Sequence, residues 1–403
     1  MDVVALLAEI ESIGRLSDGG YRRFALTDAE AQLNEWFDST AASLGLAVEE
    51  DRNGNRWAWW GDPSQGSAIA TGSHLDSVSR GGAYDGPLGI ASAFAAVARL
   101  KAAGKEPTQP LAVSCFTDEE GGRFGVACLG SRLAAGKITA ERALGLRDDD
   151  GISMAEAVRA RGRRPAHLGP DPQRLQRVAT FIELHVEQGR GLVDTDHAVA
   201  VGTAVWPHGR WRVEFSGRAD HAGTAHMDDR VDPMLHLAQF ITVAKESARA
   251  RDTLPQAARA TVGRVQVLPN AVNAIPAQVL AWLDARASSE TLLDELIEAI
   301  VAETNVQLSE ESRTPRQVFD PSLGAHLAHL LGDVPLLDSG AGHDAGVLAD
   351  AGVSTAMLFV RNPTGISHAP EEFAEEVDLR AGVDALTAVL SDLLGIDKTE
   401  QPA

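Results

Sequence analysis

Residues 111–125 read LAVSCFTDEEGGRFG, an apolar run that ends in three consecutive acids and then in glycines. A short apolar run bounded by turn residues reads as a buried strand. Carboxylates repel one another and resist burial. Asp118, Glu119 and Glu120 therefore mark a place where a buried strand meets something charged, and the glycines let the chain turn tightly away. Two other segments share the design: SAIATGSHLD (67–76) and VATFIELHVEQG (178–189). Each has an apolar body and a polar end.

Helices alternate with these strands. VVALLAEIESIG (3–14) has helical spacing, and GIASAFAAVARLKAAG (89–104) is an Ala-rich helix closed by Gly104. TDAEAQLNEWFDSTAASLG (27–45) opens with Thr27-x-x-Glu30, which predicts a capping box. LAVEEDRNGNRWAWWG (46–61) predicts a hairpin turned at Asn53-Gly54. Alternation of this kind implies an α/β domain, its mixed and mainly parallel sheet flanked by helices. Ligand sites in such sheets lie beyond the carboxyl ends of the strands, where all three segments carry His, Asp or Glu.

The pattern changes near Trp206. WRVEFSG, PMLHLAQFITVAKESARA, ATVGRVQVLPN, QVLAWLDARAS, LLDELIEAIVAET and VQLSEES follow as strand, helix, strand, strand, helix, strand. That order is the split βαβ, ferredoxin-like α+β pattern. The expected division is a catalytic domain over 1–206 and 318–403, with an inserted lid and dimerisation domain over 207–317. After the insert come a helix near 322–332, the loop DSGAGHDAG, the strand STAMLFV, the loop RNPTGISHAPEEF and a final helix.

The chain has 403 residues, 36 basic and 57 acidic, for a net charge of −21. Nucleic acid and anionic membrane surfaces call for a basic footprint, which argues against both as partners. No apolar run approaches the roughly 20 residues of a membrane helix, and the N-terminal stretch lacks the features of a signal peptide. Cys115 and Cys128 show no CxxC spacing, and read as buried thiols of a reducing cytoplasm. RARGRRP (159–165) reads as a solvated helix end.

The polar strand ends, taken together, suggest a metal site. They are His74 and Asp76, Asp85, Glu119 and Glu120, His185 and Glu187, and His368. Clustered carboxylates need a compensating charge. Imidazoles among them point to metals of the zinc class, with carboxylates sharing two ions. Two such ions polarise a carbonyl and acidify a bridging water. Consecutive strand residues point to opposite sides, so Glu120 can hold a metal while Glu119 faces the water as general base. Asp76 can return to the free N–H of His74.

These motifs also carry a resemblance. GSHLDSV with GGAYDGPLG, then DEEGGRFG, ELHVEQG, DHAGT, VNAIP, GAGHDA and ISHAP stand in an order and spacing similar to those of the dizinc N-carbamoyl amidohydrolases. That group comprises allantoate amidohydrolases, N-carbamoyl-L-amino-acid hydrolases and β-ureidopropionases, a branch of the carboxypeptidase G-like metallopeptidases. In ELHVEQG the ligand position is His185, where peptidase relatives carry an acid. The resemblance implies two divalent metals, zinc or else manganese or cobalt. His74, Asp85 and His185 would hold one; Asp85, Glu120 and His368 would hold the other. It implies Glu119 as the base, and a homodimer in which His221 reaches the partner subunit's site to steady an oxyanion. Arg286 would grip the substrate carboxylate. Asn273, Gln188, Gly342 and His343 are implied substrate neighbours.

By residue chemistry alone, Arg286 reads as a surface strand arginine, Asn273 as a turn residue before Pro276 and Asp344 as a helix cap. His167, His197, His236, His326 and His329 read as ordinary residues. Two positions depart from the family pattern. Ala225-His226 follow HAGT where Thr-Pro is common, and His208 stands where relatives often carry a substrate-contacting Gln. The expected substrate is a small anionic ureido or carbamoyl acid. WPHGRW, GRVQVLPNAVNAIP and AMLFVRNPTGISHAP most resemble chains acting on allantoate, with N-carbamoyl-L-amino acids as the nearest rival and a peptidase or a non-catalytic binder further off.

Overall fold

The acid-tipped strand is an interior strand of a nine-stranded mixed sheet. The computed structural model describes residues 1–253 and 255–396. In chain order the strands are β1 (Ala47–Glu50), β2 (Arg56–Trp60), β3 (Ala68–His74), β4 (Leu111–Phe116) and β5 (Val178–Val186). Then come β6 (Val199–Val205), β7 (His208–Ser216), β8 (Asp220–His221), β9 (Ala258–Leu268) and β10 (Ala274–Ile275). The last are β11 (Gln278–Ala287), β12 (Leu308–Thr314), β13 (Gln317–Val318), β14 (Leu336–Ser339) and β15 (Ser354–Val360). The helices are α1 (Val3–Glu9), α2 (Asp28–Ser43), α3 (Pro87–Ala102), α4 (Leu129–Ala134), α5 (Ala140–Gly145) and α6 (Met154–Ala160). They continue with α7 (Pro172–Leu175), α8 (Pro233–Arg251), α9 (Glu290–Thr304), α10 (Pro321–Leu330), α11 (Asp344–Asp350) and α12 (Glu376–Leu393).

The large sheet runs β1-β2-β4-β3-β5-β15-β6-β13, with β14 also on β6. Its four central strands, β4, β3, β5 and β15, are parallel neighbours. The β1–β2 hairpin continues it antiparallel at one side, and β6 at the other. Parallel central strands bring their carboxyl ends to one edge, and the polar ends of β3, β4 and β5 fall there. Helix α3 packs on β3, β5 and α12, while α11 packs on β15, β5 and α4.

Period-2 alternation sorts the residues of β5. Ile182, Leu184 and Val186 join the main apolar cluster with Ile90, Phe94 and Val97 of α3. Glu183 and His185 therefore face the opposite side, and both are fully buried.

The chain divides into two compact units, Met1–Ala204 with the chain from Val318 on, and Val205–Gln317. In the smaller unit the strand order is β12-β7-β11-β9, all antiparallel, the ferredoxin-like order. Along β11, residues Val279, Ala281, Leu283, Ala285 and Ala287 are buried with Phe240, Leu293 and Leu296 of α8 and α9. Asp284 and Arg286 alternate onto the other face.

Two local expectations change. Thr27 forms no capping box: its hydroxyl donates to the Phe24 carbonyl at 2.6 Å. Glu30 reaches further back, accepting from the Leu26 N–H at 2.7 Å and the Thr117 hydroxyl at 2.6 Å. The basic run 159–165 is not simply solvated. Arg161 pairs with Asp28 at 2.8 Å and Arg163 with Glu50 at 3.0 Å, tying α6 to distant segments. Among the described residues, no helix is long and apolar enough to cross a membrane.

Candidate metal centre

His74 ends β3, Glu119 and Glu120 follow β4, His185 lies near the end of β5, and His368 follows β15. Asp85 sits in the loop before α3, whose first turn is set by Pro87 at a position that needs no N–H donor. Gly86 makes the fit possible: it has φ +85°, and an added Cβ would lie 2.3 Å from the His74 ring. A side chain there would displace the imidazole.

The Asp85 carboxylate stands at the centre. Its Oδ1 lies 3.6 Å from Nε2 of His74 and 3.2 Å from Nε2 of His185. Its Oδ2 lies 3.5 Å from Nε2 of His368, which in turn lies 3.1 Å from Oε2 of Glu120. His74, Asp85 and His185 thus form one potential ligand group, and Asp85, Glu120 and His368 another. The first is buried; His368 is half exposed.

Tautomers follow from the neighbours. Nδ1 of His74 faces the Asp76 carbonyl at 3.1 Å, and Nδ1 of His185 faces the Val186 carbonyl at 2.9 Å. A carbonyl only accepts, so each Nδ1 carries a hydrogen, and each Nε2 is the nitrogen that offers a lone pair once its own proton is lost. Both Nε2 atoms, with Oε1 of Glu120, are buried and lack a hydrogen-bond partner. Buried polar atoms are normally paired. Unpartnered lone pairs converging around one carboxylate are the donor set a divalent metal takes, so these residues fit a metal.

Charge supports the same reading. Burial opposes charging His74, yet the nearby carboxylates of Glu119, Asp76 and Asp85 push its pKa well above the usual value. Burial likewise opposes charging His368, but Glu120 and Asp85 raise it to about 9. Burial holds Glu119 well above the carboxylate range against the opposing pull of the His74 charge, and burial, then the charges of Asp76 and Glu30, hold Asp118 there. The protein's own groups leave negative charge in excess here.

The three acids have separate duties. The Asp76 carboxylate accepts the backbone N–H groups of Glu119 and Glu120, each at 3.1 Å, and so fixes the turn as well as His74. Oε2 of Glu119 lies 3.7 Å from Nε2 of His74, and its Oε1 accepts from the Cys128 thiol. Asp118, at φ +53°, is buried with both carboxylate oxygens unpartnered.

Two of the expected pocket residues make contacts within the centre itself. Gln188 donates to Oδ2 of Asp85 at 2.7 Å, so it braces the central carboxylate. His343 is buried, its ring 4.7 Å from that of His185 and its Nε2 3.0 Å from the Ser339 hydroxyl. It also groups with Glu183 and His185. Glu183, however, is already engaged by the Ser73 hydroxyl at 2.8 Å and the Ala345 N–H at 3.1 Å. Gly342 faces open space. Asp344 is not a cap: it is the buried first residue of α11 and accepts from Ser131. His326 and His329 lie beside acids, Asp392 at 2.6 Å and Asp333 at 3.1 Å.

In the smaller unit His221 is exposed on the β8–β10 ribbon, opposite Ala274, and the Asn273 carbonyl accepts the Ala222 N–H. Arg286 donates Nε to Oδ1 of Asp284 at 2.8 Å and Nη2 to Oδ2 at 3.3 Å. His208 is its cross-strand neighbour, with Nδ1 3.0 Å from the Trp206 carbonyl. His226 is exposed. Sequence reasoning missed Cys128, Ser367 and Glu372 as neighbours of the centre, although ISHAPEE contains the last two.

The model of peptidase family M20/M25/M40 matches residues 70–392. The chain belongs to that family. This M20 chain is 34% identical to the N-carbamoyl-L-amino acid amidohydrolase of Geobacillus stearothermophilus, over 94% of this chain and 95% of the relative. It is 31% identical to the allantoate amidohydrolase of Bacillus subtilis, over 94% of each. A crystal structure of a hydantoinase/carbamoylase family amidase from Burkholderia vietnamiensis superposes with a TM-score of 0.86 at 30% identity, covering 97% of both chains. The M20 chain is an amidohydrolase, a hydrolase of C–N bonds other than peptide bonds.

Proposed function

We propose that the enzyme hydrolyses a linear C–N bond of a ureido or carbamoyl acid, with allantoate as its substrate. The observation that carries this reading is the split use of Asp85: one oxygen faces His74 and His185, the other faces His368 beside Glu120. That arrangement suits a carboxylate shared by two divalent cations. Zinc, manganese and cobalt all match mixed imidazole and carboxylate donors. When bound, such a pair supplies the Lewis acidity that polarises the scissile carbonyl and acidifies water.

The remaining chemistry belongs to the side chains. With Oε1 of Glu119 engaged by Cys128, Oε2 is the oxygen turned toward the ligand groups. It takes the proton of the attacking water and returns it to the departing nitrogen. The C–N bond breaks, and the carbamate released from the ureido group falls to ammonia and carbon dioxide. The reading gives Arg286 the substrate carboxylate and His221, from the partner subunit of a homodimer, the oxyanion. His208, Asn273 and Gly342 are assigned to substrate contact. Exposed Val265 and Leu268 on β9, the edge strand of its sheet, are consistent with pairing between copies. Two buried free thiols are consistent with a cytoplasmic location.

A second reading, N-carbamoyl-L-amino acid hydrolysis, is favoured by the 34% identical relative of that name. Ammonia release should be measured on allantoate, N-carbamoyl-L-amino acids and N-carbamoyl-β-alanine, with each metal supplied in turn. Turnover of allantoate is expected. Its absence, with turnover of an N-carbamoyl amino acid, makes the second reading correct, and silence on the whole panel sinks both.

A further inference from the structure

Glu372 is a buried acid that meets backbone N–H groups and a hydroxyl rather than a lysine or arginine. Its Oε1 accepts the N–H of Tyr84 at 2.8 Å and of Asp85 at 2.9 Å. Ser367 Oγ lies 3.2 Å from its Oε2 and 2.9 Å from Oδ2 of Asp85. One acid and one hydroxyl from the loop after β15 thus grip both the backbone and the carboxylate of a residue in the loop before α3. The fit is close: a Cβ on Gly82 would lie 2.4 Å from the Cβ of Glu372.

His368 lies between these two residues in sequence and has φ +58°. That conformation is uncommon for a residue other than glycine and costs backbone energy that the surroundings offset. Ser367 on one side and Glu372 on the other anchor its loop to the Asp85 loop. We infer that Glu372, with Ser367, is the positioning residue of the centre: it locks the Asp85 loop to the His368 loop and so sets the spacing between the two metal positions. This inference rests on the metal reading above. An outer partner that fixes a metal ligand typically changes affinity by about 10–100-fold when lost.

The test titrates metal-free protein with Co²⁺ against a chromophoric chelator, for the wild-type chain, Glu372→Ala, Glu372→Gln and Ser367→Ala. Glu372→Ala should weaken the weaker Co²⁺ site about 10–100-fold and alter the cobalt absorption bands. Glu372→Gln, whose amide oxygen still accepts two N–H groups, should recover most of that loss. Ser367→Ala should fall between them. Wild-type affinity and bands in both alanine variants overturn the inference. If Glu372→Ala does not fold, wild-type behaviour of Ser367→Ala overturns it alone. No substrate enters this titration. A wild-type chain inert toward every ureido acid therefore overturns the functional reading, whereas normal cobalt binding by the variants overturns only the clasp.

Discussion

Cys128 donates its thiol hydrogen to Oε1 of Glu119 at 3.3 Å, in a corner where both residues are buried. The contact separates the two oxygens of the acid, leaving Oε2 on the side of His74. Glu119→Gln keeps the volume and an acceptor for the thiol while removing the base. Bound metal should stay at the wild-type amount and turnover should fall about 10²–10⁴-fold, as expected for loss of general base catalysis. Metal analysis beside steady-state kinetics checks both halves. Undiminished turnover would mean that another group takes the proton.

Sharing of Asp85 makes a graded prediction. Asp85→Ala removes a donor from both ligand groups, whereas His368→Ala removes one from a single group. Elemental analysis after dialysis should find Asp85→Ala nearly metal-free and His368→Ala with about half the wild-type content. Equal retention in the two variants would contradict a bridging role.

The legible part of this fold was the part governed by period and punctuation. The alternation in β11, the apolar runs of β3 and β4 and the Asn53-Gly54 hairpin all follow from side-chain direction and turn chemistry. That acids and imidazoles gather at one edge was legible because those of β3, β4 and β5 end or follow apolar strands, whereas their division into two groups around Asp85 came from the family resemblance. Glu30 was misread because sequence spacing shows that an acid can reach Thr27, but not that the Leu26 N–H and the Thr117 hydroxyl occupy its two oxygens. The contacts that Gln188 and His343 make at the centre were not legible for a related reason. Their neighbours, Asp85 and His185, come from remote segments that only the parallel sheet brings together.

Proton competition sets the pH dependence of metal uptake. In the metal-free chain His74 lies well above the ordinary imidazole value, His185 is also raised, and His368 stands at about 9. The carboxylates around them outweigh the burial that opposes charging. A raised imidazole holds its proton at neutral pH and must lose it to bind metal, so binding releases protons and weakens as pH falls. Affinity should climb steadily from about pH 6 to about pH 9. Calorimetry in buffers of different ionisation enthalpy counts the protons directly. A pH-independent affinity, with no proton release, would contradict the assignment of these imidazoles as ligands.

Arg286 offers the sharpest test of substrate class. Two donors of its guanidinium rest on the Asp284 carboxylate, which also receives Arg210 Nε at 3.4 Å. Burial opposes ionisation of Asp284, but these two arginines hold its pKa below the usual value, so it stays charged and keeps the fork in one plane. Lysine carries the same charge without a plane or a second aligned donor. For a substrate whose carboxylate is gripped bidentately, Arg286→Lys should raise KM about tenfold and leave kcat close to wild type, the signature of lost uniform binding. The same change should barely affect an analogue in which that carboxylate is an amide. An equal penalty on acid and amide would show that Arg286 serves the fold of its sheet, and the substrate's anionic group would then have to be sought elsewhere.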